Sequence, residues 1–382
     1  MKKIIVILFL FLTFISSAGQ VSAIENPLAK PNNKFGIHIL FPAEVAQAAQ
    51  LVNSSGGSWG YVVIPIQSGD RDLIKWQLFM DTCKKNHVIP IVRVATEGDY
   101  FNTKVWRVPD ASDILDFANF LNSLDWPVKN RYVIIFNEVN RADEFGGVVD
   151  PGTYAKLLSY ATTVFKSKNQ DFFVISSGMD NAAANTPFSM DEYDYFRAMQ
   201  QSVPGIFNQI DGISSHAYPN PGFSQPPTVL NAKSIDSFQY ERTLIETMSN
   251  KQLPVFITET GWPTNVVPDT VAAGYYQQAF STVWNDPNIV TVAPFLLQAN
   301  GGPFSGFSFL SISNSQTPEY TAIASIPKTK GTPSAALKVL GEEIAKIQKL
   351  PLENFSHINN TIPTTQVSHS AKTFFKWLLG LQ

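Results

Sequence analysis

Apolar and polar positions alternate along this chain in a repeating two-part pattern. From about residue 34, short β-rich runs are followed by longer runs with apolar residues at helical spacing. The short runs are 34–40 (KFGIHIL), 59–66 (WGYVVIPI), 88–95 (VIPIVRVA), 131–138 (RYVIIFNE), 171–178 (DFFVISSG), 210–218 (IDGISSHAY), 253–259 (LPVFITE) and 289–298 (IVTVAPFLLQ), eight in all. Most are apolar throughout, as expected of parallel strands covered on both faces. Helical runs lie between them, among them 72–86, 111–124, 150–169, 234–251 and 269–286. In the third, Asp150 is placed to cap the helix and Pro151 suits its first turn. Eight β-α units over roughly 300 residues predict an α/β fold, a single catalytic domain built as a (β/α)8 TIM barrel. The rival is an open doubly wound sheet. That fold usually carries a Gly-rich phosphate loop after its first strand, and this sequence has none there.

The pattern changes at both ends. Lys2 and Lys3 precede an apolar run from Ile4 to Ile15, and Val21-Ser22-Ala23 has the small residues of a cleavage site. Residues 1–23 are therefore read as a signal peptide, and the run is too short for a comfortable membrane span. The mature protein is expected to be secreted, or held at the cell surface or in the periplasm. Residues 24–328 are assigned to the barrel. Residues 329–382 are assigned to a short helix, a polar tail and an apolar end (TFFKWLLGLQ) too short to span a bilayer. That end reads as a frayed tail, with weak membrane or cell-surface association through it as the alternative.

Composition narrows the function. The chain has 382 residues, 44% hydrophobic and 15% charged, with a net charge of −3, which fits a large core. No basic stripe points to a nucleic-acid partner. Cys83 is the single cysteine, which excludes an intrachain disulfide; its helical surroundings suggest a buried structural thiol. Histidines 38, 87, 216, 357 and 369 are scattered, with no zinc-ligand spacing, so no metal and no cofactor are expected. A monomer is the expected state.

In a (β/α)8 barrel the chemistry sits where the strands end. Strand four ends Phe136-Asn137-Glu138, strand six His216-Ala217-Tyr218 and strand seven at Glu259, while Arg93 lies near the end of strand three. Glu138 and Glu259 thus top strands on opposite sides of the mouth. The two-residue period puts Glu259 on the face of Ile257 and Val255, and Glu138 on that of Phe136 and Ile134. Two facing carboxyls are the requirement of a retaining glycosidase. Each alone has a structural reading, as a helix cap, a partner for an Arg or, for His216, a satisfied histidine.

With FNEVN on strand four, SHAYPN on strand six and ITETGWP on strand seven, residues 34–327 resemble the clan A retaining glycoside hydrolases, the cellulase-like and β-glucanase-like barrels. TETGWP also resembles the plant-type β-1,3-glucanases. The resemblance implies that Glu259 is the nucleophile, held charged by Arg93 and Tyr218, and that Glu138 is the acid/base. It implies that the charge on Glu259 keeps a proton on Glu138 for the leaving oxygen, and that this changes once Glu259 is glycosylated. Asn137 would bind the sugar 2-hydroxyl, and His216 would position Glu138 or Tyr218. Aromatic candidates for sugar stacking are Trp59, Tyr61, Tyr100, Trp106, Trp262, Phe304 and Phe307, with Trp106 and Trp262 favoured by their turn-like settings and the core the commoner place for any one of them. The acidic residues Glu97, Asp143, Glu144 and Asp180 read as solvated loop charges, with sugar hydroxyls as alternative partners. Many clan members end strand eight with a Trp under the reacting sugar; here Gln298 stands at roughly that place. A catalytically weak carbohydrate-binding barrel and a cell-surface scaffold protein are the other two readings of the same architecture. Polysaccharide turnover separates them from a hydrolase.

Overall fold

A computed structural model describes residues 24–96, 104–299 and 301–336. The signal segment, most of the C-terminal tail, Glu97 and Tyr100 lie outside the described residues. The eight expected strands are present as β1 (Gly36–His38), β2 (Gly60–Ile66), β3 (Val88–Val94), β4 (Arg131–Ile135), β5 (Phe172–Ile175), β6 (Ile213–His216), β7 (Val255–Glu259) and β8 (Ile289–Val292). They pair in parallel as two ladders, β1 to β5 and β6 to β8. Single parallel bridges join the ladders, Ile175 to Gly212 on one side and Phe35 to Val292 on the other. At the second junction Val292 N–H donates to Lys34 O at 2.8 Å, and His38 N–H donates to Pro294 O at 3.0 Å.

The helices are α1 (Val45–Val52), α2 (Leu73–Lys85), α3 (Ala111–Asn122), α4 (Pro151–Lys168), α5 (Glu192–Ser202), α6 (Ile206–Gln209), α7 (Ser237–Glu246), α8 (Asp269–Ser281) and α9 (Pro318–Ser325). Asp150 caps α4, its carboxylate accepting from Thr153 N–H at 2.9 Å, with Pro151 in the first turn. The apolar runs separate into two layers. Outer-facing residues such as Val92, Ile135 and Ile257 pack with the helices, which bring Trp76, Phe79 and Cys83 from α2. Inner-facing residues fill the barrel: Ile91, Ile134 and Phe173, with Tyr132 5.6 Å from Phe256 between ring centres. This packed interior is the rigid base of everything at the strand ends. Among the described residues no helix is long and apolar enough to cross a membrane.

The opposite end of the barrel has a floor. Asn130 exchanges hydrogen bonds with the Glu25 backbone at 2.9 and 2.8 Å, and Tyr61 donates to Asn32 Oδ1 at 2.7 Å. Residues 329–336, assigned by sequence to the tail, run across this floor. Gly331 N–H donates to Ser58 O and Lys129 N–H to Ser334 O, each at 2.9 Å, and Ala335 bridges Val128. The barrel thus extends past the boundary at 328, because this polar stretch satisfies backbone groups that the strand starts would otherwise leave bare.

Candidate active site

A cleft of about 750 Å3 opens at the C-terminal ends of the strands. Arg93, Asn137, Glu138, Tyr218 and Glu259 line it, and His216 lies buried directly behind the two glutamates. One carboxylate oxygen of Glu138, one of Glu259 and a ring nitrogen of His216 all lie within 4.8 Å of one another.

Neither carboxylate arrives by simple alternation. Ile257 and Val255 face the helices, while Phe256 faces the barrel interior. The pairing of β6 with β7 shifts register between Ser215 and His216, so that His216 aligns with Glu259. That irregularity brings Glu259 into the cleft. On the other side β4 ends at Ile135, and Phe136 and Glu138 take left-handed backbone conformations, φ +68° and +35°. Such angles are unfavourable for residues with side chains and concentrate at functional sites. Glu138 N–H is anchored on Gly178 O at 2.9 Å.

The site is tightly partnered. His216 Nδ1 is 3.0 Å from Glu138 Oε1 and 3.8 Å from Glu259 Oε2. The Tyr218 hydroxyl donates to Glu259 Oε2 at 3.1 Å. Arg141 Nη1 lies 3.3 Å from Glu138 Oε2 and 3.7 Å from an Asp180 oxygen, and its Nε and Nη2 clamp Asp143 at 3.1 and 2.7 Å. Burial disfavours a charged His216, but the Glu259 charge and the Glu138 hydrogen bond outweigh it and raise its pKa. His38, at the end of β1, has its Nε2 3.7 Å from Glu259 Oε1. Burial, then the charges of Arg93 and His216, hold His38 well below the usual histidine range. The pair is thus one histidine biased toward its cation and one kept neutral. Burial, then the Glu259 and Glu138 charges, push the Tyr218 hydroxyl well up, so it stays a donor. The amide oxygen of Asn137 is buried without a hydrogen-bond partner among the described residues.

Glu138, His216 and Glu259 also have the spacing of metal ligands. Arg141 already sits against Glu138, the Tyr218 hydroxyl against Glu259, and His216 Nδ1 against Glu138. An ion would have to displace these donors, so the set fits a hydrogen-bonded carboxyl pair better than a metal centre.

Two expected sugar contacts lie elsewhere. Trp262 is 1% exposed, donates from Nε1 to Gln225 O at 2.7 Å and packs its ring on Tyr276 and Trp284. It belongs to the core, because that carbonyl satisfies its one polar atom away from the cleft. Gln298 turns from the cleft and donates to Ser311 O at 2.6 Å and Asn314 Oδ1 at 3.0 Å. The aromatic surface at the end of β8 comes instead from Phe295, which lines the cleft with Phe304 and Phe307 and packs on His38 at 5.0 Å. Trp106 lines the cleft too. Trp59 and Tyr61 lie at the barrel's other end, Trp59 stacked on His87 and Tyr61 bonded to Asn32. Asp143, Glu144 and Asp180 line the cleft, with Asp143 exposed to solvent as expected and Glu144 and Asp180 partly buried. His38, Phe295 and Arg141 escaped the sequence reading. Examining the last residue of every strand, β1 included, would have found His38.

No protein-family model and no curated protein matches the chain. Solved structures do. A family 39 glycoside hydrolase from Bacteroides cellulosilyticus WH2 superposes with a TM-score of 0.56 at 18% identity, over 78% of this chain and 64% of that one. The chain thus spans about two thirds of that relative's length. A GH5_18 protein from Bifidobacterium longum subsp. infantis gives 0.55 at 13% identity, over 80% and 81%. A GH128 (subgroup II) endo-β-1,3-glucanase from Sorangium cellulosum gives 0.50 at 16% identity, over 78% and 98%. At these identities the likeness establishes the fold alone, a (β/α)8 barrel.

Proposed function

We propose that the chain is an exported retaining glycoside hydrolase that cleaves β-glycosidic bonds of a poly- or oligosaccharide by double displacement. The observation that carries this reading is the Glu138–Glu259 approach within 4.8 Å. A retaining pair needs about 5–5.5 Å, whereas an inverting pair needs about 6.5–9.5 Å to admit a water between.

Glu259 attacks the anomeric carbon as the bond to the leaving oxygen breaks, and Glu138 gives its proton to that oxygen. Water then attacks the glycosyl-enzyme ester, Glu138 takes a proton from it, and Glu259 leaves as a carboxylate. Tyr218 orients the nucleophile, and His216 holds the acid/base. The unpartnered oxygen of Asn137 is available to a sugar hydroxyl, and Phe295 offers the apolar ring face under the reacting sugar. The TETGWP resemblance and the near full-length alignment with the Sorangium cellulosum endo-β-1,3-glucanase make β-1,3-glucan the first substrate to try.

The test is a panel of aryl β-glycosides and polysaccharides, β-1,3-glucan included. Glu259→Ala should abolish product release, and azide should partly restore it with inverted stereochemistry at the anomeric carbon. Undiminished turnover by Glu259→Ala would sink the assignment. Carbohydrate binding without hydrolysis across the panel would favour a binding barrel. Export rests on residues 1–23, and expression with and without them, followed by fractionation, tests it.

A further inference from the structure

Among the described residues, six carboxyl groups line the cleft: Asp70, Glu138, Asp143, Glu144, Asp180 and Glu259. Five have protein partners. Asp70 pairs with Lys75, and Asp143 is clamped by Arg141. Asp180 accepts from Ala182 N–H at 2.8 Å. Glu138 and Glu259 are held by His216 and Tyr218. The sixth, Glu144, stands at the end of the short turn Ala142–Glu144 after β4, half-buried in the cleft wall, and its carboxyl makes no hydrogen bond or ion pair among the described residues. Neither of its oxygens is fully buried, so the carboxyl stands at the cleft with its hydrogen-bonding positions open to a ligand that enters.

We infer that Glu144 is a specificity residue that hydrogen-bonds a hydroxyl of the sugar bound beside Glu138, and that the acidic wall around it turns away sugars carrying a carboxylate or sulfate. This rests on the glycosidase reading and names a contact within it. The proton balance fits a hydroxyl partner. Burial, then the Glu138 charge, push the Glu144 carboxyl up to about 7, with Arg93 and Arg141 restraining the rise and Asp143 adding to it. Near neutral pH the group therefore both donates and accepts, and a sugar hydroxyl does the same. An anionic substituent at this point would meet Glu138, Asp143, Glu144 and Asp180, with Arg93 and Arg141 as the facing cations. Arg141 is already engaged by three of those four carboxylates.

The experiment pairs Glu144→Ala and Glu144→Gln with a series of singly deoxygenated oligosaccharides built on whichever substrate the wild type turns over. Glu144→Ala should lower kcat/KM about 10- to 100-fold on the full substrate, and Glu144→Gln by only a few-fold. One deoxy analogue should lower wild-type kcat/KM by a similar factor while leaving Glu144→Ala indifferent to that hydroxyl. The matching uronide should be at least about tenfold poorer for wild type, with Glu144→Gln narrowing the gap. Equal losses by Glu144→Ala on every analogue would mark a structural role and overturn the inference, as would wild-type kcat/KM in that variant. A requirement for an amino group in place of the hydroxyl would overturn it as well. The same comparison read as oligosaccharide binding, by calorimetry in a Glu259→Ala background, keeps the test independent of turnover. Loss of turnover logic with preserved Glu144-dependent binding would strike the glycosidase reading alone.

Discussion

Replacing Glu241 with glutamine should make the protein more stable at pH 8 and change little at pH 5. Glu241 on α7 and Glu192 on α5 are each 1% exposed, behind the strand that carries His216. Glu241 accepts from Ser215 Oγ at 2.7 Å and Ser237 Oγ at 3.0 Å, whereas both Glu192 oxygens lack a partner among the described residues. Burial, only partly opposed by the two serines and the His216 charge, pushes Glu241 from 4.5 up to about 7. Burial, then the Glu241 charge, push Glu192 well up as well. A carboxyl raised on folding binds its proton more tightly in the folded state, so its contribution is fully present below the unfolded value and is lost as pH rises through the folded one. For Glu241 that loss spans about 2.5 pH units at 1.36 kcal/mol each, ~3 kcal/mol between pH 4.5 and pH 7 to 8. Glutamine keeps an oxygen for Ser215 and Ser237 and cannot ionise. Urea unfolding of both proteins at pH 5, 6, 7 and 8 measures the difference. Glu144 and Asp180 are raised in both proteins and cancel, whereas Glu192 loses the repulsion of the Glu241 charge, so the difference reports the Glu241–Glu192 pair. A gap that stays constant from pH 5 to pH 8, or a wild type that is the more stable at pH 8, would refute the reasoning.

Three further changes test the site. A Cβ on Gly178 would overlap the ring of His216, which is buried and cannot yield, so Gly178→Ala should lower kcat about a hundredfold or more by moving His216 off Glu138; unchanged kcat would disprove that coupling. Tyr218→Phe removes the hydroxyl from Glu259 and should cost about 10- to 100-fold in kcat with the unfolding midpoint near that of wild type; an effect confined to KM would remove Tyr218 from the support of Glu259 as the proposed nucleophile. Trp262→Ala should destabilise the fold by about 3–5 kcal/mol in denaturant titration; a fully stable variant with weakened oligosaccharide binding would return Trp262 to the cleft.

The fold was legible because parallel strands buried on both faces carry continuous apolar runs, and the helices between them keep a 3.6-residue period. Asp150 and Pro151 marked the start of α4 as local chemistry does. The strand-end rule then led to Arg93, Asn137, Glu138, His216, Tyr218 and Glu259, which the structure gathers at one mouth. What could not be read depends on long-range partners. Trp262 is held in the core by the carbonyl of Gln225, and Gln298 is drawn away by Ser311 and Asn314. Neither partner is implied by local spacing. Arg141 escaped notice because its three carboxylate partners come from two different loops.

The positions of the two glutamates expose the limit of periodicity itself. Strict alternation would send Glu259 toward the helices with Ile257 and Val255, where an unpaired charge is costly to bury. The register shift beside His216 and the left-handed turns at Phe136 and Glu138 redirect both carboxylates to one point. Left-handed backbone at a residue with a side chain costs of order 1–3 kcal/mol. Such a conformation persists only where its surroundings fix it, and here the Gly178 carbonyl, His216 and Arg141 all grip Glu138. The regular part of each strand therefore builds the rigid base, while its irregular last residues aim the chemistry. A substitution that restored regular β geometry at Phe136, or at Thr258, the residue left over between the Ser215–Ile257 and His216–Glu259 pairings, would be expected to spare the barrel and separate the carboxylates.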